Sequence, residues 1–157
     1  MPPVYRDSIP PYAQGRRANA EEWNGISRTL AGAANVGFGV PVIHGTDEHT
    51  VLPLTAAGQN VAGITETSYV LPHPGDNYEP GDTVAACESG VIGVLLGANV
   101  AKGAVARFNV TAQAWTGAAA SATVLTIPGA TFEEAGASGA VGLVRFRRPN
   151  PALATGA

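Results

Sequence analysis

Glycine and proline punctuate this chain so often that only short runs lie between them: 20 Gly and 12 Pro are spread over 157 residues. Helices of ordinary length do not survive such spacing, because Gly is entropically costly inside a helix and Pro removes a donor and clashes with the preceding turn. The runs themselves are rich in Val and Ile relative to Leu, and β-branched side chains suit a pleated surface. The expected fold is therefore all-β: a compact small β-barrel or sandwich, with an extended N-terminal arm and at most one short helix. The length predicts a single domain.

The expected strands are residues 39–43, 50–54, 61–65, 68–71, 82–87, 91–96, 104–109, 123–127, 130–133 and 140–147, each bounded by Gly, Pro, Asn or Asp. Glu88-Ser89-Gly90 reads as a tight hairpin between two of the strongest runs. Pro41 and Pro53 predict edge strands or bulges. Residues 112–122, rich in Ala, Thr and Ser around Trp115, read as a long connection. The one helix the pattern allows is residues 18–30, with Asn19 as cap, Glu21 and Glu22 in the first turn, and Trp23, Ile26 and Leu30 on one face. Gly25 interrupts that pattern; if it breaks the helix, residues 26–30 form a strand.

Three segments are expected: an arm over 1–17, a β domain over 18–148 and a loose tail over 149–157. Four prolines (Pro2, Pro3, Pro10, Pro11) keep the arm extended, while Val4, Tyr5, Ile9 and Tyr12 give it apolar anchors that cannot pack on one another. Tyr5, Arg6, Ile9, Tyr12, Arg16 and Arg17 are the candidate partner-binding residues, the tyrosines as amphipathic anchors and the arginines as planar donors to carboxylates. The competing reading is a strap folded back on its own domain.

Charge narrows the function. Only 13% of residues are charged, about half the usual share, so part of the exterior is expected to lie against a partner. The 12 acids and nine Lys or Arg are unevenly placed: the stretch 29–101 holds Asp47, Glu48, Glu66, Asp76, Glu79, Asp82 and Glu88 and no Lys or Arg, whereas both ends are net positive. Nucleic acid binding is not expected, because Arg145, Arg147 and Arg148 alone make too small a basic footprint. The N-terminus lacks a secretory apolar core, and the long uncharged stretch after Phe108 is too polar for a membrane span.

Catalytic and metal-binding patterns are weak. One cysteine, Cys87, excludes an internal disulfide and a Cys-based zinc site; it sits in a strand as a small hydrophobe, and a catalytic pairing with His73 is the minor reading. His44, Asp47, Glu48 and His49 offer metal-ligand types within six residues, but Gly45-Thr46-Asp47 spells a turn where solvated acids are ordinary. Ser138 lacks a nucleophile-elbow spacing. Glu133 and Glu134 are adjacent, so on a strand they face opposite sides. No enzyme activity, cofactor or metal is expected.

The order of these features resembles the structural cement, or capsid decoration, proteins of tailed bacteriophages. The residues carrying the resemblance are Gly15-Arg16-Arg17-Ala18-Asn19, Ile26-Ser27-Arg28, Gly37-Phe38-Gly39-Val40-Pro41-Val42, Val61-Ala62-Gly63-Ile64-Thr65, Tyr78-Glu79-Pro80-Gly81-Asp82-Thr83-Val84, Gly90-Val91-Ile92, Val100-Ala101-Lys102-Gly103-Ala104-Val105, Ile127-Pro128-Gly129-Ala130 and the closing strand 141–147. Ala104 departs from it, standing where the family tends to a polar residue. The resemblance implies a virion protein on the outer surface of an icosahedral head, made in the bacterial cytoplasm. Its implied partners are the major capsid protein, whose neighbouring subunits it cements, and itself as a homotrimer, with no nucleic acid and no membrane. The alternatives are another β-barrel virion component of the tail or head–tail connector, or an unrecognised hydrolase.

Overall fold

A computed structural model of the chain describes residues 13–19, 21–68, 75 and 77–149. Among them are eleven strands and no α-helix: β1 (Asn24–Leu30), β2 (Val36–Gly37), β3 (Pro41–His44), β4 (Thr50–Pro53), β5 (Val61–Thr65), β6 (Asn77–Tyr78), β7 (Thr83–Leu95), β8 (Val105–Asn109), β9 (Ala114–Thr116), β10 (Val124–Phe132) and β11 (Val141–Arg147).

β7 is the spine. Its first half pairs antiparallel with β1, from Thr29↔Thr83 to Asn24↔Ser89, and on its other edge with β5 through Ile64↔Cys87 and Thr65↔Ala86. The order β1-β4-β3-β5-β7, with β1 also paired to β7, closes five strands into a barrel. The second half of β7 pairs with β11 from Arg147↔Ser89 to Val141↔Leu95. The sheet then runs through β10 and β8 to β9. β9 returns to the end of β7 through a parallel bridge between Leu96 and Trp115, where the Gly97 amide donates to the Trp115 carbonyl at 2.8 Å. A short ladder of β2 and β6 lies apart.

The core is continuous across both halves. Trp115, Tyr78, Phe108, Phe132 and Phe146 are its largest fully buried side chains, surrounded by Val, Ile and Ala. Phe108 meets Trp115 edge-on, with ring centroids 5.6 Å apart. Such contacts give the small-residue core specificity beyond area alone.

The helix reading of 18–30 gives way to its strand alternative, which begins at Asn24 rather than at residue 26. Glu22 has φ 49°, which interrupts helical geometry in the first turn, and burial then alternates, with Ile26, Arg28 and Leu30 more covered than Gly25, Ser27 and Thr29. The hairpin at Glu88-Ser89-Gly90 is also corrected, since β7 runs straight through it. Ser89 is opposite Asn24 on β1 and Arg147 on β11, where β7 passes from one partner to the next. Gly90 is required because a Cβ there would lie 2.4 Å from the Trp23 ring.

The expected strands 123–127 and 130–133 are one strand, β10. The Pro128-Gly129 pair is absorbed where β10 shifts register on β8, between Thr126 and Thr131, since a bulge tolerates a residue without an amide donor. The connection over 112–122 contains β9, recruited by the burial of Trp115. Pro41 and Pro53 mark strand ends within the barrel rather than edges: β3 lies between β4 and β5, with a bulge between Val42 and Ile43. Of the expected strand 68–71, Ser68 is not in a strand and the rest lies outside the described residues.

Candidate functional site

Residues 13–18 lie along the middle of β7. The Gly15 amide donates to the Gly93 carbonyl at 2.8 Å, the Gly93 amide to Arg16 at 2.9 Å and the Ala18 amide to Val91 at 2.9 Å. On the opposite side the Thr67 amide donates to the Gly15 carbonyl at 2.8 Å, and the Gln14 side-chain amide reaches the Phe38 carbonyl at 2.7 Å. Gly93 lets this strap approach, because a Cβ there would lie 2.5 Å from the Ala13 carbonyl oxygen. Local sequence explains little of this; the strap is held by backbone pairing to distant strands.

Of the candidate interface residues, Arg16 and Arg17 lie on this strap, and both are exposed. The Arg17 guanidinium stacks 4.2 Å from the centroid of the Trp23 ring, a cation–π contact. It also opposes the rise that burial imposes on the Glu66 carboxyl pKa. Tyr5, Arg6, Ile9 and Tyr12 lie outside the described residues.

Ala13 lines a groove of about 990 Å3 whose walls include Phe38, Leu54, Asn77, Val110 and Gln113. No charged side chain among the described residues lines it.

The basic residues near the C-terminus are paired with acids from elsewhere in the chain. Arg145 bonds Glu133 and lies 3.6 Å from Glu21 and 3.8 Å from Glu22. Arg147 bonds Glu22, and Arg148 bonds Glu88. The hydrogen bond from Arg145 holds the Glu133 carboxyl below its ordinary pKa. Arg145, Arg147 and Arg148 are thus matched by acids from the 21–22 turn, from β7 and from the residue after β10.

His44 ends β3 with its Nε2 3.4 Å from Arg148 Nη1. Burial, then the charges of Arg148 and Arg28, push its pKa below the usual 6.5, with Glu88 opposing. His49 points elsewhere, exposed beside Glu48 at 3.3 Å, and the Asp47 carboxylate accepts from the His49 amide at 2.9 Å, as the turn reading anticipates. No group of three or more His, Cys, Asp or Glu among the described residues is placed to hold a metal ion. His73 lies outside those residues.

Cys87 is buried, and desolvation pushes its thiol pKa up to about 12, so the thiolate is scarce at neutral pH. Ser138 Oγ donates to the Gly97 carbonyl at 3.1 Å. Sequence reasoning missed the grouping of Arg28, His44 and Arg148, which no spacing signals because β1, β3 and the end of β11 bring them together.

A family model described as structural cement protein (E217 gp24/Pam3 gp6) matches residues 1–147. Among solved structures, a chain from the capsid of Myoviridae phage XM1 shares the fold at a TM-score of 0.69 and 15% identity, covering 92% of this chain and 96% of that one. No curated protein matches the chain.

Proposed function

The chain belongs to the phage structural cement protein family, and from that premise we propose how it stabilises a capsid. It is a structural protein that binds capsid subunits, and neither the tail or connector alternative nor the hydrolase is favoured. In our reading it sits on the outer surface of the head as a homotrimer and performs no catalysis. Residues 1–12 reach a neighbouring major capsid subunit, with Tyr5, Ile9 and Tyr12 as apolar anchors and Arg6, Arg16 and Arg17 pairing with carboxylates.

The observation that carries this reading is the strap. Backbone bonds from Gly15, Arg16 and Ala18 to Gly93 and Val91 fix the point from which the arm departs, so a docked arm transmits load to β7 and the whole barrel. A fixed exit and a proline-stiffened arm lower the ordering entropy of docking. Engaging several subunits at once raises avidity without any single strong contact.

The test is add-back to heads assembled without the protein. The full chain should decorate them uniformly, and a variant lacking residues 1–12 should remain folded and decorate poorly. Reversing charge at Arg16 and Arg17 should weaken attachment more at low salt than at high salt. Light scattering of the free protein and a map of decorated heads report the trimer. Full occupancy by the truncated protein would overturn the arm's role, and single unpaired copies on the head would overturn the trimer.

A further inference from the structure

We propose that Arg28, His44 and Arg148 form a seat for a carboxylate presented by a neighbouring polypeptide, an acidic side chain of the capsid shell. This rests on the cement reading and assigns it a second contact, away from the arm.

The three side chains come from separate elements, β1, the end of β3 and the residue after β11. Arg148 Nη1 is 3.4 Å from His44 Nε2, and the charge of Arg28 is felt at the same ring. Arg28 uses Nη1 to donate to the Ser27 carbonyl at 2.8 Å. Its Nε is enclosed and has no acceptor among the described residues. A buried donor left unused is costly, and a planar guanidinium is suited to a carboxylate.

Local charge is also unbalanced. Glu88 is the acid that offsets this group, and its two oxygens are taken, one by Arg148 Nη2 and the other by the Asn24 side-chain amide at 2.8 Å. Arg145 and Arg147, on the same strand end, differ in being matched by Glu133, Glu21 and Glu22. The seat is thus where the chain's own acids fall short, while Arg148 and His44 remain accessible enough to meet a partner. An arriving carboxylate would accept from Arg28 and Arg148 and favour protonated His44, which can then donate as well.

The test has two arms and uses the full chain. In the first, the His44 ring and arginine Nε–H signals are followed by NMR during titration with acetate and, separately, with inorganic phosphate. Saturable shifts with acetate, and a His44 titration midpoint that rises when acetate is present, are expected. Both should be lost in R28Q and R148Q and kept in R16Q. Shifts of equal size in R28Q, no saturation, or saturation by phosphate alone would each overturn the carboxylate seat. In the second arm, R28Q and R148Q, checked for an unchanged melting temperature, are added to undecorated heads. A loss of affinity of roughly ten-fold or more is expected for each, the effect of removing one charged hydrogen bond. R28Q at full affinity would overturn the seat while the parent still decorates; failure of the parent itself would overturn the cement reading instead.

Discussion

The indole N–H of Trp115 donates to the backbone carbonyl of Gly39 at 2.7 Å. It ties β9, the last strand in the order of the large sheet, to the turn entering β3 in the five-stranded barrel. Both groups are buried, so removing the donor leaves a carbonyl without its partner.

Trp115→Phe should therefore destabilise the protein by about 1–3 kcal/mol, the cost of orphaning a buried acceptor with most of the ring volume retained. Denaturant titration should show a lower midpoint with an unchanged slope. An unchanged midpoint would mean that the bond carries no net stability.

Two truncations separate the strap from the arm. Removing residues 1–12 should leave the melting temperature of the isolated protein unchanged. Removing residues 1–17 deletes the partners of Gly93 and Thr67 and should cost on the order of a few kcal/mol, at roughly one per lost backbone bond. Calorimetry on both proteins checks this. Equal melting temperatures for the two would show that the strap contributes nothing.

Acidification should lower stability in two steps. The His44 pKa lies below 6.5 in the fold because of burial and the charges of Arg148 and Arg28, with Glu88 pulling the other way. The unfolded chain therefore takes up that proton first, and stability falls as pH drops through the histidine range. Glu133, held below 4.5 by Arg145, contributes stability that is present above 4.5 and lost as pH falls through its lower folded value. Glu66 acts oppositely, since burial raises its pKa and its contribution is lost as pH rises through the folded value. His44→Asn should flatten the stability profile between about pH 5 and 7, and an unaltered slope there would refute the assignment.

Cys87 should resist alkylation in the native protein at pH 8 and react on unfolding, because its thiol is buried and its pKa is raised to about 12. Iodoacetamide labelling followed by mass measurement reads this directly. Rapid labelling of folded protein would contradict the burial.

Much of the fold follows from residues in their local order. Val61–Thr65 is a strand both by composition and in the structure, and the turn expected at Gly45-Thr46-Asp47 is a bend at Thr46 and Asp47 that continues as a turn through Glu48 and His49. The candidate site is less legible. Arg16 and Arg17 stand out as adjacent cations, but nothing nearby in sequence announces that their backbone pairs with Ile92 and Gly93.

The sequence by itself determined the all-β class, because Gly and Pro spacing and β-branched composition act through local backbone sterics. Only the tertiary structure decided what the ambiguous segments became. Residues 24–30 form a strand because β7 offers them a ladder along its edge. Glu88-Ser89-Gly90 stays extended because β1 and β11 claim the strand on either side of Ser89 and Trp23 packs against Gly90. The stretch around Trp115 gains β9 because that indole finds the core and the Gly39 carbonyl. In each case pairing and burial contributed by distant residues outweighed a local preference worth about 1 kcal/mol or less per residue, and the partners' positions are not written in the segment itself.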